Sequence, residues 1–384
     1  MSHTPPNRSV SCLLCTPFDG PSIREAVSSC RKSLGGDPDL VIVAVSSDYR
    51  AHLPALIEHF QIDGHARRII GSSTCGSFGV GKELENTSGV SFSFLRLPET
   101  SFELIRSKEA IGKSALLDSV PAGFLVMADP FRCGSQGPLR EINTHFAGVP
   151  AVGGMITGGP EDEDLFLFTE EGRVDADFLA LGLCGGIRMV PLVAQGCRPV
   201  GEPMVVTGSR LNVVHSIGGR EPFRVLEEAF GSLGDSLKEA ADGNIFAGLA
   251  IREEVDEFEA GDFLIRTIVG VDLDDGKLIL TSPPRVGQTL QFQLRNAGVA
   301  KQVLKENCES IKAEHGLPFS SFLCGGRGRG RRLYGEPDQD SAIIQEVFGA
   351  IPVTGFYGSG EFGPVAEVNF RHDHSLCGAL FYPA

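Results

Sequence analysis

The feature that most constrains this chain is a glycine spacing that occurs three times. The pattern G-x-x-x-x-G-x-F-G runs through Gly355, Gly360, Phe362 and Gly363, and again through Gly71, Gly76, Phe78 and Gly79. A related pattern, F-x-x-[VI]-P-x-x-G-x-x-x-x-G, links Phe146, Val149, Pro150, Gly153 and Gly158, and again Phe348, Ile351, Pro352, Gly355 and Gly360. Spacing shared at three places points to one structural unit used repeatedly. Each copy follows an apolar run that reads as a strand. A strand that ends in glycines lets backbone N–H groups approach a ligand with no side chain in the way.

Three stretches carry the unit in full. The first is strand Leu40–Ser46, helix Ala51–Phe60, strand Arg68–Ser72 and loop Thr74–Gly81. The second is strand Gly123–Ala128, helix Pro138–Phe146, strand Pro150–Met155 and a loop through Gly159. The third is strand Phe319–Leu323, helix Asp338–Phe348, strand Pro352–Phe356 and loop Tyr357–Gly363. Leu40–Ser46 is apolar throughout, the pattern of a strand covered on both faces. Parallel pairing inside each unit would gather the loops at one sheet edge. Between the units lie antiparallel runs, an acidic turn at Glu161–Asp164, and a hairpin signal at Gly185 and Gly186. The fold class expected is α/β or α+β, with mixed sheets flanked by helices. A boundary near Pro199–Gly201 divides it into two related domains, 1–196 and 197–384.

At 384 residues the chain is long enough for such domains to have real cores. Its net charge of −15 argues against nucleic acid as a partner. No apolar stretch approaches the ~18 residues of a membrane span. Residues Met1–Ser11 hold no apolar signal core, so the ten cysteines read as thiols in a reducing cytoplasm.

Against this acidic background, Cys324 is followed by Arg327, Arg329, Arg331 and Arg332 among glycines. Guanidinium groups bind carboxylate or phosphate bidentately. This segment therefore reads either as a mobile cationic loop that binds an anion or as a solvated loop paired with the protein's own carboxylates. Glu361, among the glycines of the third loop, could accept a ligand amine or simply tie its own loop. Ser73, Thr74, Cys75 and Gly76 form the matching loop of the first unit, and Gly358 and Gly360 flank Glu361. Cys75 and Cys324 are also candidate nucleophiles, with His372 a possible base. His372 and His374 would share a strand face, and Cys12 and Cys15 have metal-like spacing, but neither pair has an evident second half. No metal or cofactor is expected.

Several runs resemble the FIST domain family. Gly196–Thr207, Gly261–Arg266, Gly287–Phe292, Cys324–Gly328, Gly355–Pro364 and Asn369–His372 are similar to the C-terminal FIST domain, and Ile70–Gly76 to its N-terminal companion. The resemblance implies a sensory module that binds a small ligand such as an amino acid and acts through a signalling partner. The function expected is non-catalytic sensing of an anionic or zwitterionic metabolite. A cysteine-dependent enzyme of thiol or acyl-transfer chemistry and a protein-interaction scaffold are the alternatives.

Overall fold

The computed structural model describes residues 6–158, 165–234, 244–254, 258 and 260–384. The acidic turn expected at Glu161–Asp164 lies outside them, as does Gly159. The chain forms two compact units. The first comprises Met1–Ala194, Leu304–Arg371 and Ser375–Ala384, and the second Gln195–Val303 with His372–His374. No helix among the described residues is long and apolar enough to cross a membrane.

Mixed α/β structure is present, and its first unit holds three six-stranded sheets of one design. At the centre of each is a parallel pair. Leu40–Ser46 pairs with Ile69–Thr74, Gly123–Ala128 with Ala151–Met155, and Ser320–Gly326 with Val353–Gly358. Each first strand also pairs antiparallel with the strand that ends its repeat: Val90–Arg96, Phe178–Gly185 or Leu376–Pro383. The strand that opens the repeat then adds to the outside: Arg8–Leu14, Thr100–Ile105 or Ile187–Ala194.

The free edge of each parallel pair is closed by chain from another repeat. After Ile69–Thr74 the backbone crosses to the third sheet, where Gly76–Gly79 pairs with Val353–Gly358. After Val353–Gly358 it crosses to the second, where Glu361–Val365 pairs with Ala151–Met155. After that strand it returns to the first, where Leu167–Thr169 pairs with Ile69–Thr74. Strand edges that would otherwise stay open are thus filled in a cycle. The sequence predicts loops gathered at one sheet edge; instead each glycine turn passes between two sheets.

Burial explains the apolar strands. Leu40, Ile42 and Ala44 join Leu125, Met127, Phe322 and Phe356 in a core shared by all three sheets. Val41, Val43 and Val45 face outward onto Ile23, Val27, Leu56 and Phe60 of helices Gly20–Leu34 and Leu53–Ile62. A strand covered on both sides has no solvent face to mark by alternation.

The second unit is a closed barrel of Cys197–Arg210, Val213–Ile217, Lys277–Leu280, Phe263–Asp272, Ile245–Ala250 and Thr289–Arg295, in that order around its wall. Alternate residues Leu290, Phe292 and Leu294 join Val206, Leu249 and Leu278 in its core. Helix Pro222–Gly231 packs on the same core through Val225 and Ala229.

Candidate functional site

The three glycine turns meet through their side chains and carbonyls. Thr157 Oγ1 donates to the Tyr357 carbonyl at 2.6 Å and accepts from the Cys75 backbone N–H at 3.0 Å. Thr74 Oγ1 lies 2.5 Å from the Gly76 carbonyl and 3.5 Å from Thr157 Oγ1. The Asn86 N–H donates to the Cys75 carbonyl at 2.7 Å. These bonds hold Cys75 at the bend between strands Ile69–Thr74 and Gly76–Gly79, with its thiol half-buried.

Cys75 opens onto a cavity of about 340 Å³. Arg327, Arg331 and Arg332 line it, with Glu85, Asn86 and Tyr357. Backbone bonds set the arginines in place. The Arg327 N–H donates to the Gly358 carbonyl at 3.0 Å. The Arg331 N–H, opening the short helix Arg331–Tyr334, reaches both Glu85 carboxylate oxygens at 3.1 and 3.0 Å. Burial pushes the Glu85 carboxyl up, against the pull of that N–H and of the Arg331 charge. A second recess of about 200 Å³ shares Thr74, Cys75 and Asn86 with this neighbourhood and reaches Gly158.

The rest of the arginine segment is compact where the sequence suggests a mobile loop. Arg329 is 1% exposed. Its Nε donates to Asp340 Oδ2 at 2.8 Å and its Nη2 to Oδ1 at 2.7 Å, and the Tyr334 hydroxyl adds a third bond to Oδ1 at 2.7 Å. A fork-on-carboxylate pair of this kind needs no ligand to complete it.

The other residues singled out in the sequence take inward positions. Glu361 is buried and accepts both the backbone N–H and the hydroxyl of Ser375 at 2.8 Å. Ser73 accepts the Phe166 N–H at 3.0 Å, tying the incoming chain of the second repeat. Gly76 stands opposite Glu85 in the hairpin, and Gly360 gives its carbonyl to Met155 N–H at 2.8 Å. Cys324 and Cys377 face each other across two strands in the core, and burial holds the Cys324 thiol well above the usual range. His372 is buried in the barrel unit, 3.5 Å from Gln195, while His374 contacts Thr267 at 3.1 Å and the Arg295 guanidinium at 3.2 Å. A cation at one ring nitrogen makes a poor neighbour for a metal. Of the expected site, therefore, Cys75 and Arg327 are brought to one cavity. Glu85, Asn86 and Tyr357 were missed, although the register Gly76–Glu85 makes the first two cross-strand neighbours of Cys75.

Beneath the cavity lies a titratable group. Tyr357, on the cavity wall, donates its hydroxyl to buried Glu83 Oε2 at 2.6 Å, and the Ser341 N–H reaches Oε1 at 2.8 Å. Burial, and then the Asp340 carboxylate, push the Glu83 carboxyl up to about 7. Its folded-state pKa exceeds the unfolded value of 4.5, so its stabilisation is complete below that pH and lost as pH rises through about 7. Glu83→Gln should therefore gain on the parent protein by up to roughly 3 kcal/mol between pH 4.5 and pH 8. Urea unfolding of both proteins across that range checks it; parallel pH profiles would count against a buried, proton-holding Glu83.

The FIST N domain matches residues 39–220 and the FIST C domain residues 222–364. An uncharacterized protein of Mycobacterium tuberculosis (strain CDC 1551 / Oshkosh) is 32% identical over 372 residues, covering 93% of this chain and 95% of that protein. An uncharacterized protein of Mycobacterium bovis is 35% identical over 262 residues, 67% of either chain. With both domains in order and similarity along nearly the whole length, the chain belongs to the FIST family, whose domains are associated with sensing and signal transduction.

Proposed function

We propose that the protein is a non-catalytic sensor that binds a small anionic or zwitterionic metabolite in the arginine-lined cavity. One observation carries the reading. In a chain of net charge −15, Arg327, Arg331 and Arg332 line a single cavity large enough for a small metabolite. A carboxylate or phosphate there would meet planar, bidentate donors. A zwitterion such as an amino acid would place its ammonium toward Glu85, the acidic group on the same wall. The output of binding would pass to a signalling partner.

Calorimetric titration with phosphate and small mono- and dicarboxylates tests this. Removing a charge-assisted hydrogen bond costs about 1.5–3 kcal/mol, so Arg327→Ala, Arg331→Ala and Arg332→Ala should each weaken binding by roughly ten- to a hundredfold. Bound anion should also slow iodoacetamide labelling of Cys75 without changing that of exposed Cys15. Unchanged affinity in the triple variant would remove the cavity from the binding site.

A further inference from the structure

The three repeats place a cavity at the same point in each fold, the C-terminal end of the first parallel strand, where ligands of open α/β sheets collect. In the third repeat, Arg327 follows strand Ser320–Gly326 and lines the arginine cavity. In the first, Ser47 and Asp48 follow Leu40–Ser46 and line the 200 Å³ recess with Thr87 and Ser88. In the second, Asp129 follows Gly123–Ala128 and lines a cavity of about 240 Å³. There Arg132 is already paired with Asp175 at 2.6 Å and Asp177 at 3.2 Å.

Two of these three cavities adjoin. The crossing chain puts Cys75 and Asn86 on the walls of both the arginine cavity and the first-repeat recess. Their chemistry has diverged. One offers three guanidinium groups. Among the described residues, the other offers the hydroxyls of Ser47, Thr87 and Ser88, the Asn86 amide and the Asp48 carboxylate, and no cation. Asp48 accepts the Ser88 hydroxyl at 2.5 Å, which leaves it further acceptor positions. A hydroxyl meets this demand with a single atom, donating to the carboxylate while accepting from hydroxyls and an amide.

We propose that the two cavities are compartments of one site, and that its ligand is a polyhydroxylated anion of the class of sugar acids and sugar phosphates. The acid sits among Arg327, Arg331 and Arg332. The hydroxyl-bearing carbons run past Cys75 and Asn86 to Asp48 and Thr87. The inference rests on the arginine cavity being a binding site, and its test separates the two.

Calorimetry on the full chain should compare inorganic phosphate, glucose 6-phosphate, acetate, gluconate and phosphoethanolamine. Glucose 6-phosphate should bind at least about tenfold more tightly than phosphate, the worth of one or two added hydrogen bonds. A matching gain of gluconate over acetate would assign the anion as carboxylate, and a gain confined to glucose 6-phosphate as phosphate. Asp48→Asn and the pair Ser47→Ala with Thr87→Val should abolish the gain and leave phosphate affinity unchanged. Equal affinity for phosphate and glucose 6-phosphate, or a gain that survives both variants, overturns the second compartment and leaves the arginine cavity standing. Tighter binding of phosphoethanolamine than of either polyol overturns the polyol class; loss of that gain in Asp48→Asn assigns its ammonium to the recess, and survival of the gain assigns it to Glu85. No heat with any of the five overturns both readings.

Discussion

Asp340→Ala should destabilise the protein by about 3–5 kcal/mol, because it leaves the Arg329 guanidinium buried and uncompensated. Both side chains of the pair are fully inaccessible. Water cannot replace the lost carboxylate, and Tyr334 offers only a hydroxyl. The cost is that of stranding a charge, not the net worth of the pair. Replacing both partners together, Arg329→Met with Asp340→Leu, should therefore recover most of the loss. Urea unfolding of the two variants decides it. A loss under about 1 kcal/mol for Asp340→Ala would mean that Arg329 finds another partner or reaches solvent. Because only Gly330 separates Arg329 from Arg331 and Arg332, the single variant should also weaken anion binding in the cavity, which the double variant would not fully restore.

Gly153→Ala should cost a similar amount, roughly 3–5 kcal/mol, at the upper end for a single added methyl. Gly153 is the third residue of strand Ala151–Met155 and has φ +143. A Cβ there would stand 1.9 Å from the Val126 carbonyl oxygen, an atom of the paired backbone that cannot rotate away. Gly355 holds the same place in the third repeat, where a Cβ would meet the Leu323 carbonyl oxygen at 2.0 Å. In the first repeat Gly71 is crowded by the Phe168 ring at 2.2 Å. Gly148 provides the control. It has φ +78 but nothing within 4 Å, so Gly148→Ala should cost only the roughly 1–2 kcal/mol of a left-handed backbone. If the two variants melt alike, close packing of the parallel pairs is not what demands glycine at position 153.

These glycines show how far the fold could be read from the chain. Their five-residue spacing marks real equivalences: the first glycine of each pair lies inside the second parallel strand, and the second lies at the turn that leaves it. The unbroken apolar runs likewise announce strands covered on both faces. Neither signal says which sheet the departing chain will join. Hairpin Gly76–Glu85 has the same local pattern whether it folds back on its own repeat or adds to the third sheet, because strand pairing depends on an open edge and not on the hairpin's own residues. The barrel is inserted between the strand that opens the third repeat and the pair that forms its centre. That separation stretches the repeat in sequence and obscures its first strand.

The candidate site divides the same way. Residue type alone marked the arginine segment as unusual in an acidic chain, and Cys75 as lying on a glycine turn. The four arginines could not be told apart, because all lie in one glycine-rich run of six positions, Arg327 to Arg332. Their roles follow from what surrounds them. Asp340, eleven residues along the chain, draws Arg329 into the interior, while Arg327, Arg331 and Arg332 remain on the cavity wall. Glu85 takes the cavity position offered to Glu361 for a similar reason: Ser375 waits for Glu361 inside the fold, and the cross-sheet hairpin carries Glu85 to the cavity. The repeated unit, its buried strands and its glycine turns were determined by local spacing and polarity. The cyclic exchange of hairpins, and with it which side chains share a cavity, was decided only by tertiary structure, since it depends on edges and charges hundreds of residues apart coming within a few ångströms.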